Sequence, residues 1–142
     1  MAGYSGTPLA KKLGIKPGAR VLLLGAPEQM QDWLAPLPDN VTLTRPGGKA
    51  NNVIVFFTKE AAALRRRFPN LAKEIESAGG LWIAWPKKSS GDPTDLNDNV
   101  VREIGLAAGL VDNKVCAISE VCSGLRFVDR LTDRPPIRLG RG

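Results

Sequence analysis

The chain has 142 residues, of which 43% are apolar and 24% are charged, and this is typical of one soluble globular domain. It contains no histidine. This excludes Ser–His and Cys–His nucleophile pairs, histidine general bases and histidine metal ligands. Its two cysteines are too few for a thiolate zinc site or a secreted disulfide scaffold. We therefore expect reduced thiols and a cytoplasmic location.

The net charge of +6 is concentrated at the two ends of the chain. Residues 1–20 carry four basic residues and no acid, and residues 129–142 carry four arginines and two aspartates. We expect a basic N-terminal strap over residues 1–19, a Rossmann-like domain over 20–130 and a flexible basic tail over 131–142. No apolar run approaches the roughly 20 residues that span a bilayer, so we expect no membrane association.

The first half of the chain alternates buried strands with a helical segment. The apolar run over residues 20–25 predicts a strand buried on both faces, and helical spacing predicts a helix from Met30 onward. Residues 41–44 and residues 52–57 predict two further strands. Only the eight residues 45–52 link these two strands, and a parallel crossover usually takes about a dozen. The sequence leaves open whether residues 41–44 join the main sheet.

A second helix and a buried strand follow. Apolar side chains at helical spacing over residues 64–75 predict a helix in which Pro69 marks a kink or a break. Gly79 and Gly80 are predicted to end this helix. Residues 81–85 then predict a strand whose alternation places its two tryptophans on opposite faces of the sheet.

The last third of the chain predicts one more helix and a β-hairpin. Thr94 or Asp95 is expected to cap the helix, which ends at Gly109. Residues 110–118 and residues 125–128 predict the hairpin strands. Helices alternating with buried strands indicate an α/β fold with a small, three-layer, mostly parallel Rossmann-like sheet. The closing antiparallel hairpin indicates a trimmed form of the class I methyltransferase architecture.

Four sequence blocks carry a family resemblance. They are GYSGTPLAKKLGIKPG, WPKKSSGDPTDL, VVREIGLAAGLVDNKVCAI and SGLRFV. On these blocks the chain resembles the bacterial domain-of-unknown-function family 3052, and the match spans the N-terminal 25 residues and most of residues 80–128. The resemblance implies a small Rossmann-like cytoplasmic protein and brings no established activity. The family often has a tryptophan before the SGL block, where this chain has Cys122.

The loops at one edge of the predicted sheet suggest a ligand site. In open α/β sheets, ligands bind beyond the carboxyl ends of the strands, where the strand order reverses. The loop after residues 81–85 offers ammonium groups, hydroxyls and a glycine, which together suit a phosphate or carboxylate. A solvated surface loop is the alternative interpretation. The residues predicted to bind the anion at this edge are Gly25, Lys87, Lys88, Ser89 and Ser90.

The N-terminal strap is a second candidate for ligand contact. A strap that folds over the sheet edge would bring Tyr4, Ser5 and Thr7 to the same ligand. Alternatively, the segment only docks Leu9 and Leu13 on the core, and Ser5 or Thr7 caps a helix.

The turn after the first strand argues against a cofactor. A dinucleotide or S-adenosylmethionine site favours a glycine-rich turn there and an acid after the second strand. The chain has one glycine in GAPEQM, and Arg45 stands after residues 41–44. Asp92, Asp95 and Asp98 lack the spacing of an EF-hand loop and suit a helix start better than a metal site. We predict no bound cofactor, no metal and no catalytic residue, and we favour a protein that is not an enzyme.

The leading hypothesis is a Rossmann-like protein that binds a small anionic ligand at the carboxyl edge of the sheet without chemistry of its own. Three alternatives stay open. They are a protein-interaction module on a degenerate methyltransferase scaffold, an active S-adenosylmethionine-dependent methyltransferase, and a nucleic-acid-binding protein. A nucleic-acid partner is disfavoured because no recognition motif is present and aromatics make up only 6% of the chain. The sequence does not specify an oligomeric state.

Overall fold

The computed structural model describes residues 8–48 and 50–129, which build a six-stranded sheet with helices on both faces. The strands are β1 (Arg20–Leu24), β2 (Thr42–Leu43), β3 (Asn51–Phe57), β4 (Ile75–Pro86), β5 (Leu110–Ala117) and β6 (Cys122–Asp129). The helices are α1 (Leu9–Lys12), α2 (Met30–Leu34), α3 (Ala61–Glu74) and α4 (Asp98–Ala107), with a short 3-10 helix at Lys88–Ser90. The predicted strap residues 1–7 and the tail 131–142 lie outside the described residues.

The strand order is β2-β1-β3-β4-β6-β5. Strands β1 to β4 run parallel, and β6 runs antiparallel to both β4 and β5. The predicted mostly parallel Rossmann-like sheet with a closing antiparallel hairpin is confirmed. Because β2 and β3 lie on opposite sides of β1, the order in which strands are added reverses between β1 and β3. This reversal is the topological switch point of the sheet.

Each face of the sheet has its own apolar layer. On one face, α3 and α4 pack against strand residues such as Leu81, Ile83 and Trp85. On the other face, α1, α2 and the segments beside them cover Trp82 and Ala84. Successive strand side chains point to opposite faces, so the predicted separation of the two tryptophans is confirmed.

Helix α3 runs through Pro69 and ends at Glu74, not at the predicted pair of glycines. The side-chain amide of Asn51 donates a hydrogen bond to the Glu74 carbonyl at 3.1 Å, and the extended Ile75 already pairs with Asn51 of β3. Pairing with β3 therefore ends the helix earlier than the glycines would. Gly79 lies inside β4, which starts six residues before residue 81.

Residues 41–44 do contain a strand of the main sheet, although it is only two residues long. Thr42 and Leu43 of β2 pair in parallel with Arg20 and Val21, at the start of β1. The chain thus leaves β2 near the amino edge of the sheet, and neither residues 44–48 nor residue 50, just before β3, are helical. The short link is explained because β2 never reaches the carboxyl edge.

The helix caps differ from the prediction. The side chain of Asn97, and not of Thr94 or Asp95, caps α4 by accepting a hydrogen bond from the Val100 N–H at 2.9 Å. The Asp95 carboxylate instead accepts from the Ala61 N–H at 2.8 Å, at the start of α3. A side chain from the loop after β4 therefore caps a helix that begins 34 residues earlier. Such a long-range cap has no local sequence pattern.

Candidate functional site

A cavity of about 190 Å³ opens at the switch point, where β1, β3 and β4 end and β6 begins. Its walls are mainly apolar, but they include one hydroxyl, one ammonium and one carboxylate. The lining residues are Gly25, Pro27, Phe57, Thr58, Lys59, Ala84, Trp85, Pro86, Asp92 and Cys122. A concave, largely apolar site with a few convergent polar groups is typical of ligand binding.

Gly25 forms the wall of this cavity between β1 and β3. Its φ of +67° lies in the left-handed region, and a Cβ there would lie 2.7 Å from the carbonyl oxygen of Phe57. Both observations require glycine, because an L side chain would clash with the end of β3. Gly25, predicted to contact a ligand, is thus one of the lining residues of this cavity. Its visible role is close backbone packing.

The loop after β4 is fixed to the loop after β3 by several polar contacts. The Lys59 ammonium pairs with the Asp92 carboxylate at 2.8 Å. The Thr94 hydroxyl donates to the Lys59 carbonyl at 2.6 Å, and the Asp95 N–H donates to the same carbonyl at 3.2 Å. These contacts hold the cavity wall in place without a ligand.

Of the predicted anion-binding residues, Gly25 lines the cavity, whereas the four residues of the loop after β4 are not among its lining residues. These four are Lys87, Lys88, Ser89 and Ser90. The Lys87 N–H donates to Val121 at 2.9 Å, and the Lys87 carbonyl accepts from the Ser90 hydroxyl at 2.7 Å. Because the same hydroxyl also accepts from the Asp92 N–H at 3.1 Å, it serves the loop. Lys88 and Ser89 are exposed. Tyr4, Ser5 and Thr7 lie outside the described residues.

Sequence reasoning missed several of the lining residues. Lys59 lies two residues after the end of β3, and its place in a loop at the carboxyl edge was the available signal. Trp85 and Cys122 carried no local signal for a site, since one ends an apolar strand and the other begins a hairpin strand. The strand order brings these three residues together from different parts of the chain.

Both cysteines are free, and burial raises the pKa of each thiol. For Cys122, burial and the charge of Asp92 raise the pKa, while a hydrogen bond with Ser119 and the charge of Lys87 lower it. The thiol on the cavity wall is therefore protonated at neutral pH and is a poor nucleophile.

The two buried tryptophans of β4 differ in hydrogen bonding. The indole N–H of Trp82 donates to the carbonyl of Leu13 at 3.1 Å. Trp85 borders the cavity and is only 6% exposed, yet within residues 8–48 and 50–129 its indole N–H has no hydrogen-bond partner. Buried tryptophan N–H groups usually have a partner, so this donor is unusual.

A larger groove of about 520 Å³ lies between α3 and α4. Phe68, Pro69 and Ile104 are among its lining residues, and Arg65 and Glu103 are the charged ones within the described part of the chain. This groove runs along the outer helices and receives no residue from the ends of the strands. The smaller cavity at the switch point is the better candidate site, because polar groups from separate loops converge there.

Asp92, Asp95 and Asp98, the acidic cluster of the sequence, each have a structural role. Asp92 pairs with Lys59, Asp95 caps α3, and Asp98 lies in the first turn of α4. Across the described ranges, no three acidic or cysteine side chains form a group that would hold a metal ion. In the same part of the chain, no helix has both the length and the apolar character needed to cross a membrane.

Comparison with solved structures identifies the architecture. A SAM-dependent methyltransferase from Aquifex aeolicus is 16% identical with a TM-score of 0.58, and the match covers 84% of this chain and 86% of that one. A TehB-like SAM-dependent methyltransferase from Corynebacterium glutamicum is 10% identical with a TM-score of 0.54, covering 91% of each chain. This chain has a class I methyltransferase-like fold.

A third similar structure is a magnesium protoporphyrin IX methyltransferase from Synechocystis with bound SAH. It is 11% identical with a TM-score of 0.54, and the match covers 86% of this chain and 78% of that one. Identities this low establish the fold and not the reaction. No protein-family model matches the sequence, and no curated protein matches it.

The described residues do not fit S-adenosylmethionine well. Pockets for larger ligands usually measure about 300–1,000 Å³, and the cavity here has about 190 Å³. The end of β2, which normally supplies the acid that binds a ribose, lies at the amino edge and is followed by Arg45. At the turn after β1 the chain has a single glycine, Gly25, followed by Ala26 and Pro27, instead of the glycine-rich turn of such sites.

Proposed function

We propose that this chain is a ligand-binding domain of the bacterial family it resembles, which holds a small anion in the switch-point cavity and performs no chemistry of its own. The observation that carries the proposal is the Lys59 ammonium on the wall of a mainly apolar cavity, at the edge where Rossmann-like sheets bind ligands. Lys87 adds a second positive charge in the neighbouring loop, where it follows the lining residue Pro86 and its N–H donates to the carbonyl of Val121, next to the lining residue Cys122.

The ion pair between Lys59 and Asp92 is weak enough for a bound anion to replace it. Its side chains are 56% and 40% exposed, and an exposed pair of this kind contributes only about 0–1 kcal/mol. A carboxylate or phosphate can therefore replace Asp92 as the partner of Lys59 at small cost. The loop after β4 stays in place when this ion pair breaks, because Thr94 and Asp95 also donate hydrogen bonds to the Lys59 carbonyl.

The size of the cavity and its ionisable groups support a small ligand that is bound without being chemically changed. At about 30 Å³ per water molecule, the cavity of about 190 Å³ holds the equivalent of roughly six waters. This suits one ring or short chain with one charged group. The chain has no histidine, Asp92 is paired with Lys59, and the thiol of Cys122 is protonated. Among the described lining residues there is therefore no unpaired base for proton transfer.

Thermal shift measurements with phosphate, acetate, benzoate and adenosine monophosphate test this proposal. Since a ligand that binds only the folded state stabilises it, we expect at least one small anion to raise Tm. Lys59→Met should abolish the shift, and Lys87→Ala with Lys88→Ala should reduce it. Asp92→Asn should tighten binding by up to about fivefold, because it removes a competing carboxylate.

Lys73→Met is the matched control, since it removes one positive charge from the exposed end of α3, away from the cavity. It should leave the shift unchanged. The proposal fails if no anion raises Tm. It also fails if Lys59→Met and the Lys87→Ala, Lys88→Ala variant both keep the full shift.

An active methyltransferase is the second candidate, because the solved structures named above share its fold. Isothermal calorimetry with S-adenosylmethionine separates the two functions. We expect no heat of binding, since the cavity is small and no acid follows β2. A saturable heat that Gly25→Ala abolishes would favour the methyltransferase and overturn the present proposal.

A further inference from the structure

The wall of the switch-point cavity carries two opposite charges side by side. Lys59 and Asp92 both line this cavity, and the Lys59 ammonium lies 2.8 Å from a carboxylate oxygen of Asp92. Their side chains are 56% and 40% exposed, so both groups are accessible to a molecule that enters from solvent. The site therefore offers a ligand one cation and one anion, and not a cation alone.

A ligand that carries only an anionic group makes incomplete use of this pair. Its carboxylate or phosphate would gain Lys59 as a partner, but it would also lie close to the Asp92 carboxylate, which loses its own partner. Like charges at close range repel each other, and such a charge discriminates against ligands that do not complement it. A ligand with both a carboxylate and an ammonium group gives each side chain a new partner of opposite charge.

The backbone around the ion pair is held by contacts that do not involve the two charges. The Thr94 hydroxyl and the Asp95 N–H both donate to the Lys59 carbonyl, and the Thr58 N–H donates to the Ala84 carbonyl at 3.0 Å. Only the two charged side chains therefore have to separate when a ligand enters between them. Since their charged atoms start 2.8 Å apart, the two charges of the ligand must also lie close together, as they do on the α-carbon of an amino acid.

The rest of the cavity wall is mainly apolar and limits the remainder of the ligand. Phe57 and Ala84 are paired neighbours on β3 and β4, and Pro27 and Pro86 also line the space. Such a surface suits a hydrocarbon side chain. The volume of about 190 Å³ equals roughly six waters at about 30 Å³ each, which leaves room for only a few carbon atoms besides the charged groups.

We infer that the cavity takes a small apolar α-amino acid, whose carboxylate pairs with Lys59 and whose ammonium group pairs with Asp92. A peptide terminus does not fit this description, because each terminus carries only one of the two charges. The inference rests on the proposed anion site and names the chemical class of its ligand.

Isothermal calorimetry of the full chain with three probes of the same carbon skeleton tests the inference. Valine carries both charges, isovalerate lacks the ammonium group, and valinamide lacks the carboxylate. We expect the native protein to bind valine most tightly, by roughly three- to tenfold over isovalerate, the effect of one hydrogen bond. Lys59→Met should weaken the binding of both valine and isovalerate. Tryptophan, which has the same charges on a larger body, should bind more weakly than valine.

Asp92→Asn is the decisive variant, because it keeps the size of the side chain and removes its charge. It should weaken valine binding by roughly three- to tenfold and leave isovalerate binding equal or tighter, so the preference for valine disappears. A merely structural role of Asp92 would weaken both probes together. Glu103→Gln is the matched control, since it removes one negative charge from an exposed position on α4 that is not among the cavity-lining residues. It should leave the preference for valine unchanged.

The outcomes separate this inference from the proposed function. If isovalerate binds as tightly as valine to the native protein, and Lys59→Met abolishes its binding, the anion site stands and the inference is wrong. This comparison does not depend on the folding of Asp92→Asn. The inference is also wrong if Asp92→Asn keeps the full preference for valine with an unchanged circular dichroism spectrum. If none of the three probes binds and no anion raises Tm, both proposals fall.

Discussion

The two faces of the sheet are covered by helices of very different length. On one face α3 has 14 residues and α4 has 10, and on the other α1 has 4 and α2 has 5. Under the long helices, the rings of Phe68 and Phe127 meet edge to face with centroids 5.2 Å apart. Under the short helices, Trp82 is fully buried and donates a hydrogen bond to the Leu13 carbonyl.

This difference shows two ways in which helices are held against a sheet. Long amphipathic helices bury enough apolar surface to hold by side-chain packing. A helix as short as α1 buries little, and a hydrogen bond from the core to the chain beside it helps to hold that segment in place. Trp85 lies on the face with the long helices, and among residues 8–48 and 50–129 its indole N–H has no such bond.

Phe127→Ala is expected to have the largest effect, because it opens a cavity under the long helices. Phe127 is completely buried, and removal of a buried phenylalanine side chain costs about 3–5 kcal/mol of unfolding free energy. Urea denaturation measures this loss.

Gly105→Ala tests whether α4 depends on its contact with the Phe127 ring. A Cβ at this position would lie 2.0 Å from the Phe127 ring, so Gly105→Ala should destabilise the native protein. The same change should cost clearly less in a Phe127→Leu background, where the ring is gone. Equal costs in both backgrounds would show that α4 does not depend on this contact.

A matched pair of tryptophan variants tests the two faces against each other. Trp82→Phe removes the hydrogen bond to Leu13 and leaves its carbonyl without that donor, which costs about 1–3 kcal/mol beyond the lost volume. Trp85→Phe loses a similar volume but no hydrogen bond. We expect Trp82→Phe to lower the urea midpoint more than Trp85→Phe. The reverse order would contradict the role assigned to the Trp82 bond.

The smallest expected effect is a pH dependence on the face with the short helices, where both cysteines pack. Burial raises the pKa of each thiol, so the folded state binds these protons more tightly than the unfolded state. The stabilisation is fully present below the ordinary thiol pKa of about 8.5 and is lost as pH rises through the raised values.

Urea midpoints at neutral and alkaline pH measure this effect in the native protein and in Cys116→Ala with Cys122→Ala. The double variant should show a shallower decline in stability above about pH 8.5. An identical decline in both proteins would assign the pH dependence to other groups.

Much of the fold followed from local patterns in the sequence. Unbroken apolar runs such as residues 52–57 predicted buried strands, since parallel strands covered on both faces need no polar alternation. The closing hairpin was also predicted correctly. The errors occurred where a distant group decided a boundary. Asn51 and β3 end α3 at Glu74, and Asp95 caps α3 from another loop.

The candidate site was less predictable than the fold. The rule that ligands bind at the carboxyl edge led to Gly25 and to the neighbourhood of Lys87. It did not reveal that Ser90 binds its own loop or that Lys59 lines the cavity. Which side chains of a loop face a cavity depends on how that loop packs on its neighbours, and local sequence does not encode this.

The sequence by itself determined the class of fold and excluded histidine chemistry, because hydrophobic periodicity and composition are local properties of the chain. Only the tertiary structure decided that β2 is too short to reach the carboxyl edge. It also decided that the Trp82 N–H donates to a carbonyl, whereas the Trp85 N–H has no acceptor among the described residues. These features depend on contacts between residues far apart in the chain. Trp82 and Leu13, for example, are 69 positions apart.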